Sequence, residues 1–208
     1  MHALIIVDVQ NDFCPEGAIP VNEGDHIVPV INRIGDLFDV VVFTQDWHPK
    51  NHVSFASTHG KKPGEVIDVD AIPQILWPDH CIQNTWGARL HEGLIVREGD
   101  FMLHKGTDPR VDSYSAFFDN RRINKTPLDD YLHDRGIGEL FISGLATDYC
   151  VKFTALDALE LGYSVTVIRD GVRGVDLNLG DVDRAFKEME HKGARIITSD
   201  TVVKMLGQ

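Results

Sequence analysis

The sequence predicts an α/β fold: one domain over residues 1–208, a doubly wound, mainly parallel six-stranded sheet with helices on both faces. Three features carry that expectation. Ala3 to Val7 (ALIIV) is a short apolar run rich in β-branched residues that ends at a carboxylate, Asp8, and Val40 to Thr44 (VVVFT) repeats the pattern before Asp46. Buried parallel strands read this way because both of their faces are covered. Between the two, Asp25 to Phe38 carries Ile27, Val30, Ile31, Ile34 and Leu37 at helical spacing, with Pro29 tolerable near a first turn. Right-handed crossover then sets the two strands side by side, carboxyl ends pointing the same way. The second half alternates more cleanly: Glu139 to Leu145 as strand, Asp148 to Leu161 as helix, Ser164 to Ile168 as strand, Asp181 to His191 as helix and Ala194 to Thr198 as strand. The segment FMLHK, ending at Lys105, supplies the sixth strand.

Composition narrows the functional classes. With 43% hydrophobic residues the chain can bury one good core, and no linker-like composition break or internal repeat divides it. A formal net charge of −12 argues against nucleic acid as a partner, since phosphate backbones are held by clustered Lys and Arg. The same acidic surface fits a monomer or a homo-oligomer. No apolar run approaches the roughly 20 residues a spanning helix needs, and Asp8 falls where a signal peptide would still be apolar, so a cytoplasmic protein without membrane contact is expected. Cys14, Cys81 and Cys150 cannot all pair and show no C-x-x-C spacing, so three free thiols are expected. Neither G-x-G-x-x-G after the first strand nor a P-loop occurs, which weakens dinucleotide and nucleotide-phosphate readings.

In open parallel sheets ligands bind at the carboxyl ends of the strands. There this sequence delivers Asp8, Asp46 with His48, Lys105, and Ala146-Thr-Asp-Tyr-Cys150. Cys150 falls in what should be a first helical turn, with Thr147 or Asp148 as N-cap; the helix dipole and a nearby Lys105 are expected to lower its pKa from about 8.5. Asp8, ionised at the end of an apolar strand, needs a partner. Asp, Lys and Cys together would make a proton carrier, a cation and a nucleophile. Asp46 and His48, one residue apart in extended backbone, point to one side, and His80 can complete a two-His-one-carboxylate site suited to iron(II), zinc or manganese. His52 is a weaker fourth candidate, and His26, His91, His133 and His191 read as solvated. The irregular stretch from Asp46 to about Leu103, rich in Pro, Gly, His and Trp, reads as a functional loop region.

These residues carry a resemblance to the isochorismatase-like cysteine hydrolases, and within them to the nicotinamidases (pyrazinamidases). Its marks are DVQNDF (8–13), QDWHP (45–49), WPDHC (77–81), HKGTD (104–108), DSYS (112–115) and GLATDYCV (144–151), and it covers essentially the whole chain. The resemblance implies a catalytic triad of Asp8, Lys105 and Cys150, and an oxyanion hole from the N–H groups of Ala146 and Cys150 beside a cis peptide preceding Ala146. It implies Phe13 and Trp77 flanking a pyridine ring, and one divalent metal on Asp46, His48 and His80, sometimes with a histidine at the position of His52, and no organic cofactor. The activity implied is hydrolysis of nicotinamide to nicotinate and ammonia in NAD salvage. Relatives acting on ureido compounds or vinyl ethers need no metal, and a non-catalytic metal or nucleotide binding module would leave the triad residues without a reason to meet.

Overall fold

The computed structural model describes residues 1–207. Its main sheet contains β1 (His2–Val7), β2 (Val40–Asp46), β5 (Phe101–Lys105), β6 (Glu139–Leu145), β7 (Ser164–Arg173) and β8 (Arg195–Ile197). They lie in the order β5-β2-β1-β6-β7-β8, and every neighbouring pair is parallel. The expected six-stranded α/β sheet is therefore present.

Alternation along β1 explains why its sequence is apolar throughout. Ala3, Ile5 and Val7 enter one core with Ala155, Phe186 and Met189, from helices α3 (Lys152–Glu160) and α4 (Asp181–His191). Leu4 and Ile6 enter the opposite core with Val28, Ile31 and Ile34 of α1 (Val28–Ile34) and Val202 of α5 (Ser199–Leu206). A period of two with helices on both sides leaves no position for a polar residue. Each fully buried side chain of this size stabilises by about 1.5–3 kcal/mol, so an ionised residue at Ile5 would cost both that burial and the desolvation of a charge.

The strand order reverses between β1 and β6. That reversal opens a crevice beyond their carboxyl ends. Gly144 lets the two strands approach there: its φ is 123°, and a Cβ would lie 2.1 Å from the Val7 carbonyl oxygen. No L side chain fits such a position.

Several elements differ from the sequence reading. The segment 25–38 is broken: 3-10 turns at Gly24–Ile27 and Gly35–Leu37 flank α1, which starts next to Pro29. The helix expected from Asp148 begins as a π turn over Thr147–Val151 before α3. β7 continues past Ile168 to Arg173, with a register irregularity opposite β6 between Ile142 and Gly144, and its polar and glycine residues hid the extension. The irregular middle contains an antiparallel hairpin, β3 (Val66–Val69) and β4 (Ile72–Ile75), whose half-exposed four-residue strands are too short for periodicity to register. Two short helices, α2 (Leu128–His133) and α5, add to the elements that the sequence predicts. Among the described residues no helix is long and apolar enough to cross a membrane.

Candidate active site

Strand register assembles the site. Asp46 and Lys105 are the last residues of β2 and β5 and stand opposite each other, so their side chains share a face. Lys105 Nζ lies 2.5 Å from Asp46 Oδ1 and 2.8 Å from Asp8 Oδ2. It also donates to the Ser113 carbonyl at 2.8 Å and to Cys150 Sγ at 3.4 Å. Lys105 as a whole is 1% exposed. Burial pulls its pKa down, but Asp46 and Asp8 outweigh that and hold it well above its ordinary range. The partner that Asp8 was expected to need is thus Lys105.

β1 ends in a turn at Asp8, whose φ of 48° lies in the left-handed region that Asp tolerates better than most residues. The Thr44 hydroxyl donates to Asp8 Oδ1 at 2.6 Å. Burial raises the Asp8 pKa, Lys105 lowers it and Asp46 raises it again, leaving it at about 6. Asp46 behaves oppositely: burial pushes it up, but Lys105 and His48 prevail and hold it well below the carboxylate range. Two buried carboxylates with separated pKa values suit separate roles, one moving protons and one staying ionised.

Cys150 lies at the β6 end, with Sγ within 4.8 Å of a carboxylate oxygen of both Asp8 and Asp46. The expectation of a lowered thiol pKa is corrected here. Burial pushes the Cys150 thiol up, Lys105 pulls it down, Asp8 and Asp46 push it up, and the balance lies well above the ordinary thiol range. Desolvation and two nearby anions defeat a single cation. The N-cap expectation also changes. Ala146 occupies that position without a side-chain cap, and the Asp148 carboxylate instead accepts the amides of Val175 and Asp176 at 3.0 and 2.9 Å. The Leu145–Ala146 peptide is cis.

Asp46, His48 and His80 present ligand atoms within 4.8 Å of one another. His48 Nδ1 meets the Gly106 carbonyl at 2.8 Å, and His80 Nδ1 meets the Pro78 carbonyl at 2.8 Å. With Nδ1–H donated to a carbonyl, each imidazole in its neutral form presents Nε2 as a lone pair, the arrangement of metal-binding histidines; burial lowers the His48 pKa, but Asp46 outweighs it and raises it. His48 Nε2 is buried without a hydrogen-bond partner, 3.7 Å from Asp46 Oδ2. An orphaned nitrogen beside a carboxylate fits a cation, and this donor set suits a divalent one. Burial and the neighbouring His48 lower His80 to about 4, which keeps it neutral for ligation. His52 stacks on His48 at 4.0 Å and forms a second group with His48 and Asp112. Both of its nitrogens are engaged, however, by Ser54 Oγ at 2.7 Å and the Val111 carbonyl at 3.2 Å. Gly106 makes room for His48: at φ 62° a Cβ there would lie 2.4 Å from His48 Cε1.

These groups border a small hollow. Phe13, Trp77, Asp46, His80, Ala146 and Cys150 all line it, so the residues singled out from the sequence converge there or just behind it. The Phe13 ring lies 5.6 Å from that of His80, and Trp77 Nε1 donates to the Tyr114 hydroxyl at 3.3 Å. Ile19, Asp112, Tyr114, Tyr149 and Val175 complete the walls, and none of them has a role assigned from the sequence. Tyr114 and Tyr149 sit inside the DSYS and ATDYC segments, a signal that named the segments but not their aromatic members.

Residues 2–201 match the isochorismatase domain. The chain belongs to the isochorismatase family. Its relatives there include nicotinamidases: that of Escherichia coli is 54% identical over 201 residues, covering 95% of this chain and 94% of the relative. A solved nicotinamidase and pyrazinamidase from Acinetobacter baumanii superposes with a TM-score of 0.94 at 44% identity, covering 97% of each chain. The pyrazinamidase of Pyrococcus horikoshii in complex with zinc has a TM-score of 0.78 at 37% identity, covering 95% of this chain and 98% of that one. This member of the isochorismatase family therefore groups with amide hydrolases.

Proposed function

We propose that the protein is a nicotinamidase, converting nicotinamide to nicotinate and ammonia through a thioester on Cys150. The observation that carries this reading is the position of Lys105 Nζ, 2.8 Å from Asp8 and 3.4 Å from Cys150 Sγ, beside Asp46 and the two open imidazoles.

Because the thiol holds its proton, a base is required, and Asp8 fits that role. Ionised above about pH 6, it takes the proton as Cys150 attacks the carboxamide carbon. Lys105 stays charged throughout and compensates the forming thiolate. Negative charge developing on the carbonyl oxygen meets the N–H groups of Ala146 and Cys150, an effect whose removal typically costs about 3–4 kcal/mol. Protonated Asp8 gives its proton to the leaving ammonia, and the C–N bond breaks. Asp8 then takes a proton from water as that water attacks the thioester. The C–S bond breaks, the Asp8 proton returns to the Cys150 sulfur, and the nicotinic acid released ionises to nicotinate.

Phe13 and Trp77 would hold the pyridine ring between them. Asp46, His48 and His80 would hold one divalent ion, which supplies a Lewis acid for the ring nitrogen, orienting the substrate and drawing electrons from its carbonyl. The zinc complex of the Pyrococcus relative supports zinc, and the donor set also accepts iron(II) or manganese. The same reading assigns the enzyme to NAD salvage in the cytoplasm, supported by three cysteines of which none is paired.

The deciding experiment is ammonia release from nicotinamide by the wild-type protein and by Cys150→Ala. Turnover should vanish in the variant while its metal content stays at the wild-type level. Appreciable ammonia from Cys150→Ala would remove Cys150 as the nucleophile.

A further inference from the structure

We infer that Gln10 and Asp12, two residues of the turn that follows Asp8, are positioning residues that set the metal-ligand geometry and tie it to the triad. The inference rests on the metal site proposed above.

β1 leaves the sheet at Asp8, whose amide makes the last backbone bond to β2, to the Thr44 carbonyl at 3.3 Å. Asp46 lies beyond that point and has no backbone partner on the β1 side. The Gln10 side chain takes that place. Its Oε1 accepts the Asp46 amide at 2.8 Å, and its Nε2 donates to the Asp46 carbonyl at 2.8 Å. The second Nε2 hydrogen goes to the Ala88 carbonyl at 2.9 Å. A primary amide has two donor hydrogens, so both are used, and the group is fully buried. Gln10 thus extends the ladder by one step, fixing the peptide from which the Asp46 carboxylate projects.

Two residues later Asp12 grips the other ligand segment. Its Oδ2 accepts the Cys81 amide at 2.6 Å, and its Oδ1 accepts the Ala18 amide at 3.2 Å. Cys81 follows His80 directly, and its carbonyl accepts the His48 amide at 2.9 Å. The carboxylate rests against Gly87, where a Cβ would lie 2.0 Å from Asp12 Oδ2, so its seat is shaped for it. Asp8, Gln10 and Asp12 therefore lie on five consecutive residues that carry the proposed base and hold the backbone at two of the three ligands. Neither Gln10 nor Asp12 lines the hollow.

Glutamate at position 10 keeps the shape but has no donors, and would face the Asp46 and Ala88 carbonyls with a buried charge. Asparagine at position 12 loses the charge that strengthens the Cys81 contact. Zinc affinity should be measured by equilibrium competition with a chromogenic chelator on the purified protein. Gln10→Glu, Gln10→Ala, Asp12→Asn and, as control, His80→Ala are compared with wild type, each checked for folding by circular dichroism.

The expected result is about 10- to 100-fold weaker zinc binding in the Gln10 and Asp12 variants, the range typical of groups that orient ligands. Their kcat/KM should be low at limiting zinc and recover at saturating zinc, which a general loss of structure would not permit. Folded variants that bind zinc within twofold of wild type overturn the inference, while His80→Ala still loses it. If His80→Ala itself retains wild-type affinity, the metal-site reading fails instead.

Discussion

Lys105→Met tests the site most severely, because methionine keeps much of the side-chain length and removes only the charge and its donors. The ammonium is the shared partner of Asp8 and Asp46, and all three groups are buried. Breaking a buried pair by removing one partner typically costs about 3–5 kcal/mol. The protein has one escape, which is to protonate Asp8. That carboxyl already sits at about 6 with Lys105 present, against an ordinary value of 3.8, and Lys105 is a force holding it down. Without the lysine it rises further and is protonated at pH 7. Neutralising a carboxyl about 3 pH units above its ordinary value costs about 4–5 kcal/mol, at about 1.4 kcal/mol per unit, so the two routes are comparable.

The sign follows from proton counting. Folded Lys105→Met binds a proton on Asp8 that the unfolded chain, with an ordinary carboxyl, releases above about pH 4. Its stability therefore falls as pH rises; below about pH 6 wild-type Asp8 takes up a proton as well, so the deficit against wild type should shrink by about 1 kcal/mol between pH 7 and pH 6 and little further toward pH 5. Urea unfolding of both proteins at pH 5, 6 and 7 reads this directly. With Asp8 protonated the base is lost, so kcat/KM at pH 7 should drop by about 10²- to 10⁴-fold. A stability deficit independent of pH, or turnover within tenfold of wild type, refutes the reasoning.

Further outcomes follow from the same geometry. In the wild-type enzyme Asp8 must be ionised to accept the thiol proton, so kcat/KM should fall about tenfold per pH unit below about pH 6; a flat profile from pH 5 to pH 8 would exclude Asp8 as the base. Gly106→Ala drives a Cβ into the His48 ring at a left-handed backbone position, and should weaken zinc binding and cost about 1–3 kcal/mol of stability. Unchanged zinc affinity would show that His48 is not held from there. Benzamide lacks the ring nitrogen, and its kcat/KM should lie at least about tenfold below that of nicotinamide; equal rates would dissociate the metal from substrate recognition.

Much of this protein was legible along the chain. Apolar runs ending at Asp8 and Asp46, and the helix at Asp181–His191, are local patterns created by burial on one or two faces of a regular element. The candidate triad and ligand residues were visible because strand ends in a parallel sheet face one edge, which makes position along the chain a guide to position in space. Tertiary structure decided the rest. Only register could make Lys105 the shared partner of Asp8 and Asp46, and only the network around His52 could occupy both its nitrogens. The Cys150 thiol moved opposite to its local expectation, because a helix terminus is read from neighbours in sequence, whereas desolvation and the charges of Asp8 and Asp46 come from residues more than 100 positions away. Gln10 and Asp12 carry no periodicity at all; their bonds run to peptide groups 36 and 69 residues distant, and a peptide group leaves no mark in the amino-acid code.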